Sequence, residues 1–404
     1  MGLTAEEERA LGAIDPDLML AQVLAWSPVN SGSHNLAGLS RMADLLVDAF
    51  APLGQLARRP PAEASRMLAS GEVVPLAHGE NLHLSVRPQA PTRVLLTGHY
   101  DTVFGADHPF QEVRWLSDGV LNGPGVADMK GGIAVMLAAL KALEASPWAA
   151  DLGWEVVLNA DEEVSSPGST PLLVECAARV DAGLTFEPAL ADGTLAGARP
   201  GSGNFSIHLA GRSAHAGREP EKGRNAVVAA ADLALRLAAL VADDLKVNVA
   251  RIEGGGPNNM VPDTAVLRVN MRPLTLGAQA RALAALDAAI GDVAASHEVV
   301  AHRHGSFARP PKPLDANQER LFERVRAAGA DLGLAIAWKP AGGVCDGNNL
   351  AATGLAVVDT LGVRGGAIHS AEEFLVVESL AERARLAALV LMRIGRDGFT
   401  RAPG

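Results

Sequence analysis

The sequence has few of the residues that mark disulfide-rich or nucleic-acid-binding proteins. Only two of its 404 residues are cysteine, Cys176 and Cys345, and they form neither a disulfide framework nor a zinc-binding Cys-x-x-Cys pair. The 35 lysine and arginine residues are outnumbered by 46 aspartate and glutamate residues, and no basic block interrupts the net charge of −11. We therefore expect no nucleic-acid partner.

Long apolar runs are also missing. No uncharged apolar segment is long enough to cross a bilayer, and the first residues, MGLTAEEERALGAIDPD, are acidic where a secretory signal would be basic and then apolar. We therefore expect no membrane partner and a cytoplasmic protein. Aromatic residues make up only 4% of the chain whereas hydrophobic residues reach 48%, a composition that suits helices packed tightly on a sheet.

The order of the apolar patterns predicts an α/β fold that is interrupted by a second unit. Short apolar strands alternate with amphipathic helices before residue 198 and again after 307, which favours a mostly parallel mixed sheet with helices on both faces. Between 199 and 306 the strands alternate apolar and polar residues, and the order β-α-β-β-α-β is typical of an α+β unit. We expect one domain of residues 1–198 and 307–404 and an inserted domain of residues 199–306.

Five clusters of carboxylate or imidazole side chains follow the predicted strands of the α/β part, where open sheets place their ligand sites. They are His99-Tyr-Asp101, Asp128 before Met129-Lys-Gly-Gly132, Asp161-Glu-Glu163, Glu187 before Pro188, and His369 before Ser370. Each alone has an ordinary explanation, such as a helix cap or a solvated turn. Together, two imidazoles and several carboxylates are the ligand set of two zinc-like ions that share a carboxylate.

This ordered set of motifs resembles the aminoacylase, acetylornithine deacetylase and glutamate carboxypeptidase superfamily of dizinc exopeptidases. The similarity extends from about residue 20 to the C-terminus and is greatest to the glutamate carboxypeptidase branch. It implies two divalent metal ions, with zinc expected and cobalt or manganese as alternatives. One ion would be held by His99, Asp128 and Glu187, and the other by Asp128, Glu163 and His369, with Asp128 as the bridge.

The resemblance also assigns roles beside the metals. Glu162 would be the general base that takes a proton from the water between the two ions. Asp101 would orient the imidazole of His99. The peptide bond between Asp128 and Met129 would be cis.

By the same resemblance, the inserted domain would be a lid and the interface of a homodimer. His215, in its Ser-Ala-His-Ala-Gly segment, would stabilise the oxyanion from the partner subunit. Asn259 and Arg272 match the positions that grip the terminal carboxylate of the substrate, a task that suits the planar fork of arginine. Gly343 and Arg199 would line the same pocket.

We therefore predict a metal-dependent hydrolase that cleaves an amide bond next to a free carboxylate in a small-molecule substrate. The expected activity is that of a carboxypeptidase acting on peptides or N-acyl amino acids. An N-acyl-amino-acid deacylase of the acetylornithine deacetylase or aminoacylase type is the alternative, because members of the superfamily share the metal site and differ in substrate. A metal-binding protein without catalysis would have no need of Glu162, and a metallophosphatase would need more cations around a phosphate.

Overall fold

The computed structural model describes residues 2–401. The α-helices in this range are α1 (Ala5–Leu11), α2 (Pro16–Trp26), α3 (Leu36–Phe50), α4 (Gly131–Glu144), α5 (Thr170–Ala177), α6 (Ala226–Ala238), α7 (Leu276–His297), α8 (Ala316–Asp331), α9 (Asp346–Ala351) and α10 (Ser379–Asp397). None of the helices in this range is both long enough and apolar enough to span a membrane.

The strands of the described residues fall into five sheets. They are β1 (Ala57–Arg59), β2 (Ala64–Met67), β3 (Val73–Leu76), β4 (Asn81–Val86), β5 (Thr92–His99), β6 (Arg114–Ser117), β7 (Val120–Asn122), β8 (Leu152–Asn159), β9 (Ala182–Thr185), β10 (Ala189–Leu190), β11 (Leu195–Ala196), β12 (Ser202–Ala210), β13 (Leu245–Gly254), β14 (Thr264–Pro273), β15 (Val300–Arg309), β16 (Trp338–Lys339), β17 (Ala356–Val358), β18 (Arg364–Gly366) and β19 (Phe374–Val376).

The largest sheet has six strands in the order β1-β4-β8-β5-β9-β17. Strands β8, β5, β9 and β17 run parallel, and the pairings of β4 with β1 and with β8 are antiparallel. Val94 and Leu96 of β5 pack into the core that contains α4 and α10, whereas Leu95 packs against α5 and α9 on the other face. Because helices cover both faces, β8 is buried along its whole length. The predicted α/β class is confirmed.

Residues between 202 and 309 form a separate four-stranded antiparallel sheet in the order β13-β14-β12-β15. Its elements follow the chain as β12-α6-β13-β14-α7-β15, the predicted β-α-β-β-α-β order. Leu233 of α6 and Leu286 of α7 are buried with Leu267 of β14 in a core of their own. The domain limits at 199 and 306 themselves stay a prediction.

A hairpin that the sequence analysis did not identify joins the two regions. Strands β2 and β3 pair with each other outside the large sheet and reach the four-stranded sheet. Arg268 of β14 donates a hydrogen bond to the carbonyl oxygen of Met67 at 3.0 Å, and Ser65 lies 3.0 Å from the ring of His304. These contacts link the four-stranded sheet to the chain segment between β1 and β4 of the large sheet.

Candidate metal centre

The predicted metal ligands meet near the carboxyl ends of the central parallel strands, as expected for an open sheet. His99 is the last residue of β5, Asp128 precedes α4, and Glu187 follows β9. Glu163 lies in a single helical turn after β8, and His369 lies in the loop between β18 and β19. The side chains of the four other residues are almost completely buried, whereas that of His369 is 55% exposed.

The imidazole of His99 is held in one orientation. Its Nδ1 lies 3.0 Å from the carbonyl oxygen of Asp101, and its Nε2 lies 3.0 Å from Oδ1 of Asp128. The carboxylate of Asp101 accepts hydrogen bonds from the backbone N–H groups of Glu162 and Glu163 at 3.1 and 3.2 Å. Asp101 therefore connects the β5 end to the Asp-Glu-Glu turn, and Nε2 is the ring atom of His99 that faces the cluster.

A tight loop presents Asp128. Gly125 has a φ of +72°, a conformation that glycine adopts without a steric penalty, and the Asp128–Met129 peptide bond is cis as the resemblance implied. The buried carboxylate of Glu373 accepts hydrogen bonds from the backbone N–H groups of Gly125 at 3.1 Å and Asp128 at 3.0 Å. No sequence pattern predicted this role of Glu373, although the residue lies only four positions after His369.

Two groups of potential metal ligands share Asp128. His99, Asp128 and Glu187 form one group, and Asp128, Glu163 and His369 form the other, with the ligand atoms of each group within 4.8 Å of one another. Oδ1 of Asp128 lies 3.0 Å from Nε2 of His99, and Oδ2 lies 3.4 Å from Nε2 of His369. The two oxygens of one carboxylate thus face two different ligand groups, as a bridging ligand requires.

The cluster carries more negative than positive charge. Burial and the negative charge of Asp128 raise the pKa of Glu163 to about 7, and burial raises the pKa of Glu187. Hydrogen bonds to Asp128 and Glu163 raise the pKa of His369 to about 11. Within residues 2–401, the buried Oε1 of Glu187 has no hydrogen-bond partner. Imidazole and carboxylate donors, surplus negative charge and an unsatisfied acceptor together fit divalent ions of the zinc type.

Glu162 faces the cavity beside the ligands and belongs to neither ligand group. Burial raises its pKa well above the usual value, against the opposing positive charge of Arg309. Arg309 donates a hydrogen bond to Oε1 of Glu162 at 2.7 Å and another to Oδ1 of Asp346 at 2.5 Å. No sequence motif indicates a role for Arg309, which lies 147 residues from Glu162 in an ordinary Arg-Pro-Pro segment.

The cluster opens into a cavity of about 1090 Å³, which Arg272, Arg199 and Gly343 also line. Arg199 donates to the carboxylate of Asp359 at 2.8 Å and to the carbonyl oxygen of Gly343 at 3.1 Å, so its guanidinium is already engaged. Arg272 donates to two neutral acceptors, the carbonyl oxygen of Gly342 at 3.1 Å and Oδ1 of Asn270 at 3.0 Å. Because Arg272 has no ion-pair partner among residues 2–401, it is the arginine of this cavity best able to receive a carboxylate.

His215 and Asn259 are not among the described residues that line this cavity. Both are exposed, and they lie side by side because the N–H of Ala216 donates to the carbonyl oxygen of Asn259 at 2.9 Å. In this conformation of a single chain, His215 and Asn259 therefore lie outside the cavity. A catalytic role for either one requires lid movement or a partner subunit.

The chain is similar to known proteins in both sequence and fold. The family model for peptidase family M20/M25/M40 matches residues 95–393. Carboxypeptidase G2 of Pseudomonas sp. (strain RS-16) is 30% identical over 356 residues, which cover 82% of this chain and 80% of that protein. Succinyl-diaminopimelate desuccinylase 2 of Shewanella loihica (strain ATCC BAA-1088 / PV-4) is 25% identical over 329 residues, 76% of this chain and 86% of that protein.

Solved structures share the fold over almost the whole chain. The crystal structure of the aminopeptidase PepT from Bacillus cereus ATCC 10987 superposes with a TM-score of 0.71, at 23% identity. The match covers 95% of this chain and 100% of that one. At 23% identity, this similarity establishes that the two proteins share a fold.

Proposed function

Because the chain belongs to peptidase family M20/M25/M40 and is a metal-dependent hydrolytic enzyme, we propose that it cleaves an amide bond next to a free carboxylate. A carboxypeptidase acting on peptides or N-acyl amino acids is the activity we favour, with an N-acyl-amino-acid deacylase as the alternative. The observation that carries the proposal is the pair of ligand groups joined at Asp128, with Glu162 beside them and Arg272 in the same cavity.

His99, Asp128 and Glu187 would hold one divalent ion, and Asp128, Glu163 and His369 the other, with zinc expected at both. Bound there, the ions would act as Lewis acids that lower the pKa of a water molecule and polarise the substrate carbonyl. The geometric support is that the ligand atoms of each group already lie within 4.8 Å of one another. Asp101 would keep His99 oriented through its carbonyl oxygen.

Glu162 would act as the general base and then as the general acid. Its Oε1 is paired with Arg309 at 2.7 Å, whereas its Oε2 has no hydrogen bond among the described residues and is the oxygen able to accept a proton. A buried carboxylate with a raised pKa is suited to taking a proton from the attacking water and passing it to the leaving nitrogen. The buried pairing with Arg309 would hold the carboxylate in place.

Arg272→Ala should discriminate between substrates that end in a carboxylate and substrates that end in an amide. A charged hydrogen-bonded contact contributes about 1.5–3 kcal/mol, so kcat/KM for the free acids should fall about ten- to hundredfold. Steady-state kinetics on matched acid and amide pairs would measure the difference. Arg251→Ala is the control, because Arg251 is an exposed arginine on the neighbouring β13. Equal losses on acids and amides would show that Arg272 does not bind the carboxylate.

Removal of divalent ions tests the metal-dependent mechanism as a whole. We expect a chelator to abolish hydrolysis of N-acyl amino acids and dipeptides, and added zinc, cobalt or manganese to restore it. The apparent melting temperature should also fall on chelation, because ions that bind only the folded state stabilise it by about 4 kcal/mol at a thousandfold excess over Kd. A chelator saturated with zinc beforehand is the control. Full activity in metal-free protein would refute the mechanism.

We also propose that residues 199–306 form a lid and the interface of a homodimer. β13 is an edge strand of the four-stranded sheet, and Val228 and Leu235 on the outer side of α6 are 52% and 74% exposed. An unpaired edge next to exposed apolar side chains is a surface suited to a second subunit. In such a dimer, His215 and Asn259 would reach the cavity of the partner.

A further inference from the structure

A further cluster of potential metal ligands lies away from the cavity. His83 of β4, Glu155 of β8 and Cys176 of α5 each bring one ligand atom to within 4.8 Å of the others. None of the three is among the described residues that line the cavity. Glu155 precedes the last residue of β8 by four positions, and at about 3.3 Å per residue it lies about 13 Å from the strand end near the metal centre. This His-Glu-Cys cluster is therefore a separate site.

The large sheet and α5 hold the three side chains together. His83 pairs with Val157 across β4 and β8, so Glu155 is its diagonal neighbour and both side chains lie on one face of the sheet. Cys176 packs with Val157 in the core on that face. The side chains of His83 and Glu155 are 12% and 4% exposed, and Cys176 is completely buried. The packing of three elements thus fixes the positions of the three donors.

The distances between the donor atoms are close to those around a tetrahedral ion. Nε2 of His83 lies 2.9 Å from Oε2 of Glu155 and 3.8 Å from Sγ of Cys176. With zinc bonds of about 2.0–2.2 Å to nitrogen and oxygen and about 2.3 Å to sulfur, tetrahedral angles put nitrogen about 3.4 Å from oxygen and about 3.6 Å from sulfur. An ion would therefore change either distance by no more than about 0.5 Å.

Arg179 compensates the charge of the cluster in this structure. Its guanidinium donates to both carboxylate oxygens of Glu155, at 2.8 and 2.9 Å, and to Sγ of Cys176 at 3.2 Å. A guanidinium and a divalent ion are both positive, so they would compete for the buried carboxylate. Arg179 is free to move, because its side chain is 36% exposed and also contacts the exposed carboxylate of Glu175 at 2.9 Å.

We propose that the His-Glu-Cys cluster is a third metal site, which takes one divalent ion of the zinc or cobalt class. Arg179 turns away to Glu175 when the ion binds. The thiol of Cys176 loses its proton to solvent on coordination, and water supplies the fourth ligand. The ion would then tie α5 to the β4–β8 pair. The inference does not depend on the proposed function.

Cobalt(II) is the probe, because a cobalt–thiolate bond gives a charge-transfer band in the near ultraviolet that imidazole and carboxylate ligands do not give. Protein with reduced thiols and two zinc ions per chain would be titrated with cobalt chloride. We expect the band to appear and to saturate at one cobalt ion per chain. Neither ligand group of the candidate metal centre contains sulfur, so the band reports only coordination by cysteine.

Four variants locate the cobalt. Cys176→Ser should abolish the band. His83→Gln should lower the cobalt affinity at least about tenfold, since loss of a residue that merely orients a ligand already costs about 10–100-fold. Arg179→Met removes the competing cation and should raise the affinity about tenfold or more. Cys345→Ser is the control, because Cys345 is the other cysteine and lines the cavity; its band should equal that of the wild type.

A wild-type protein without the band would overturn the inference. A band in Arg179→Met alone would do the same, because Arg179 would then exclude the ion from the natural protein. A band that survives in Cys176→Ser or disappears in Cys345→Ser would also overturn it, since the cobalt would then be bound elsewhere. The readout does not involve catalysis, so it decides the inference whether or not the protein hydrolyses amides.

Discussion

Glu162→Gln should lower kcat by about 10²–10⁴-fold, the usual contribution of a positioned general acid-base group, while both metal ions stay bound. Glutamine keeps the size of the side chain and can still contact Arg309, but it cannot accept and return a proton. Arg309 would keep its second ion pair, with Asp346, so the fold around the cavity should hold. Turnover and metal content measured on the same preparation would test both parts of this expectation.

Glu163→Gln provides the matched control, because it makes the same chemical change at the adjacent residue. Oε2 of Glu163 lies 3.1 Å from Nε2 of His369, inside one of the two ligand groups. Loss of this carboxylate should therefore reduce metal occupancy, and excess metal should recover part of the activity. If both variants lose metal, or both retain it and lose turnover alike, the separate roles of base and ligand are assigned wrongly.

The sequence predicted that the candidate ligands lie at one edge of the sheet, because several of them follow its parallel strands. Asp161 to Glu163 come after a buried strand, as His99 ends one, and parallel strands bring such ends to one edge. The resemblance to the dizinc exopeptidases then assigned these residues to two ligand groups and linked His369 to Asp128, which local pattern alone could not do. The β-α-β-β-α-β order of the inserted unit could also be predicted, from the change in apolar periodicity along the sequence.

Contacts that depend on three-dimensional packing could not be predicted from the sequence. Arg309 reaches Glu162 only because β15 ends beside the α9 terminus, and an arginine before two prolines has no periodicity that reveals this. Glu373 holds the Asp128 loop through backbone N–H groups, which carry no sequence signal. The β2-β3 hairpin was missed because its short strands are largely exposed and lack a clear apolar alternation.

His215 is exposed and lies outside the cavity of its own chain. If it stabilises the oxyanion across a dimer, each working site takes Glu162 from one chain and His215 from the other. His215→Ala should then lower kcat by about 10²–10³-fold, the effect of losing one oxyanion donor. The homodimer of Glu162→Ala should be at least as impaired.

Mixed dimers of these two variants should recover activity that neither homodimer has. In the mixed dimer, the site of the His215→Ala chain keeps its own Glu162 and receives an intact His215 from its partner, while the other site lacks both groups. Exchange of differently tagged subunits followed by tandem purification would isolate the mixed species, whose kcat per dimer should be about half that of the wild type. A mixture of Glu162→Ala with Glu162→Gln is the control and should stay inactive, because neither chain supplies a base. If purified mixed dimers of His215→Ala and Glu162→Ala are also inactive, His215 does not act from the partner subunit.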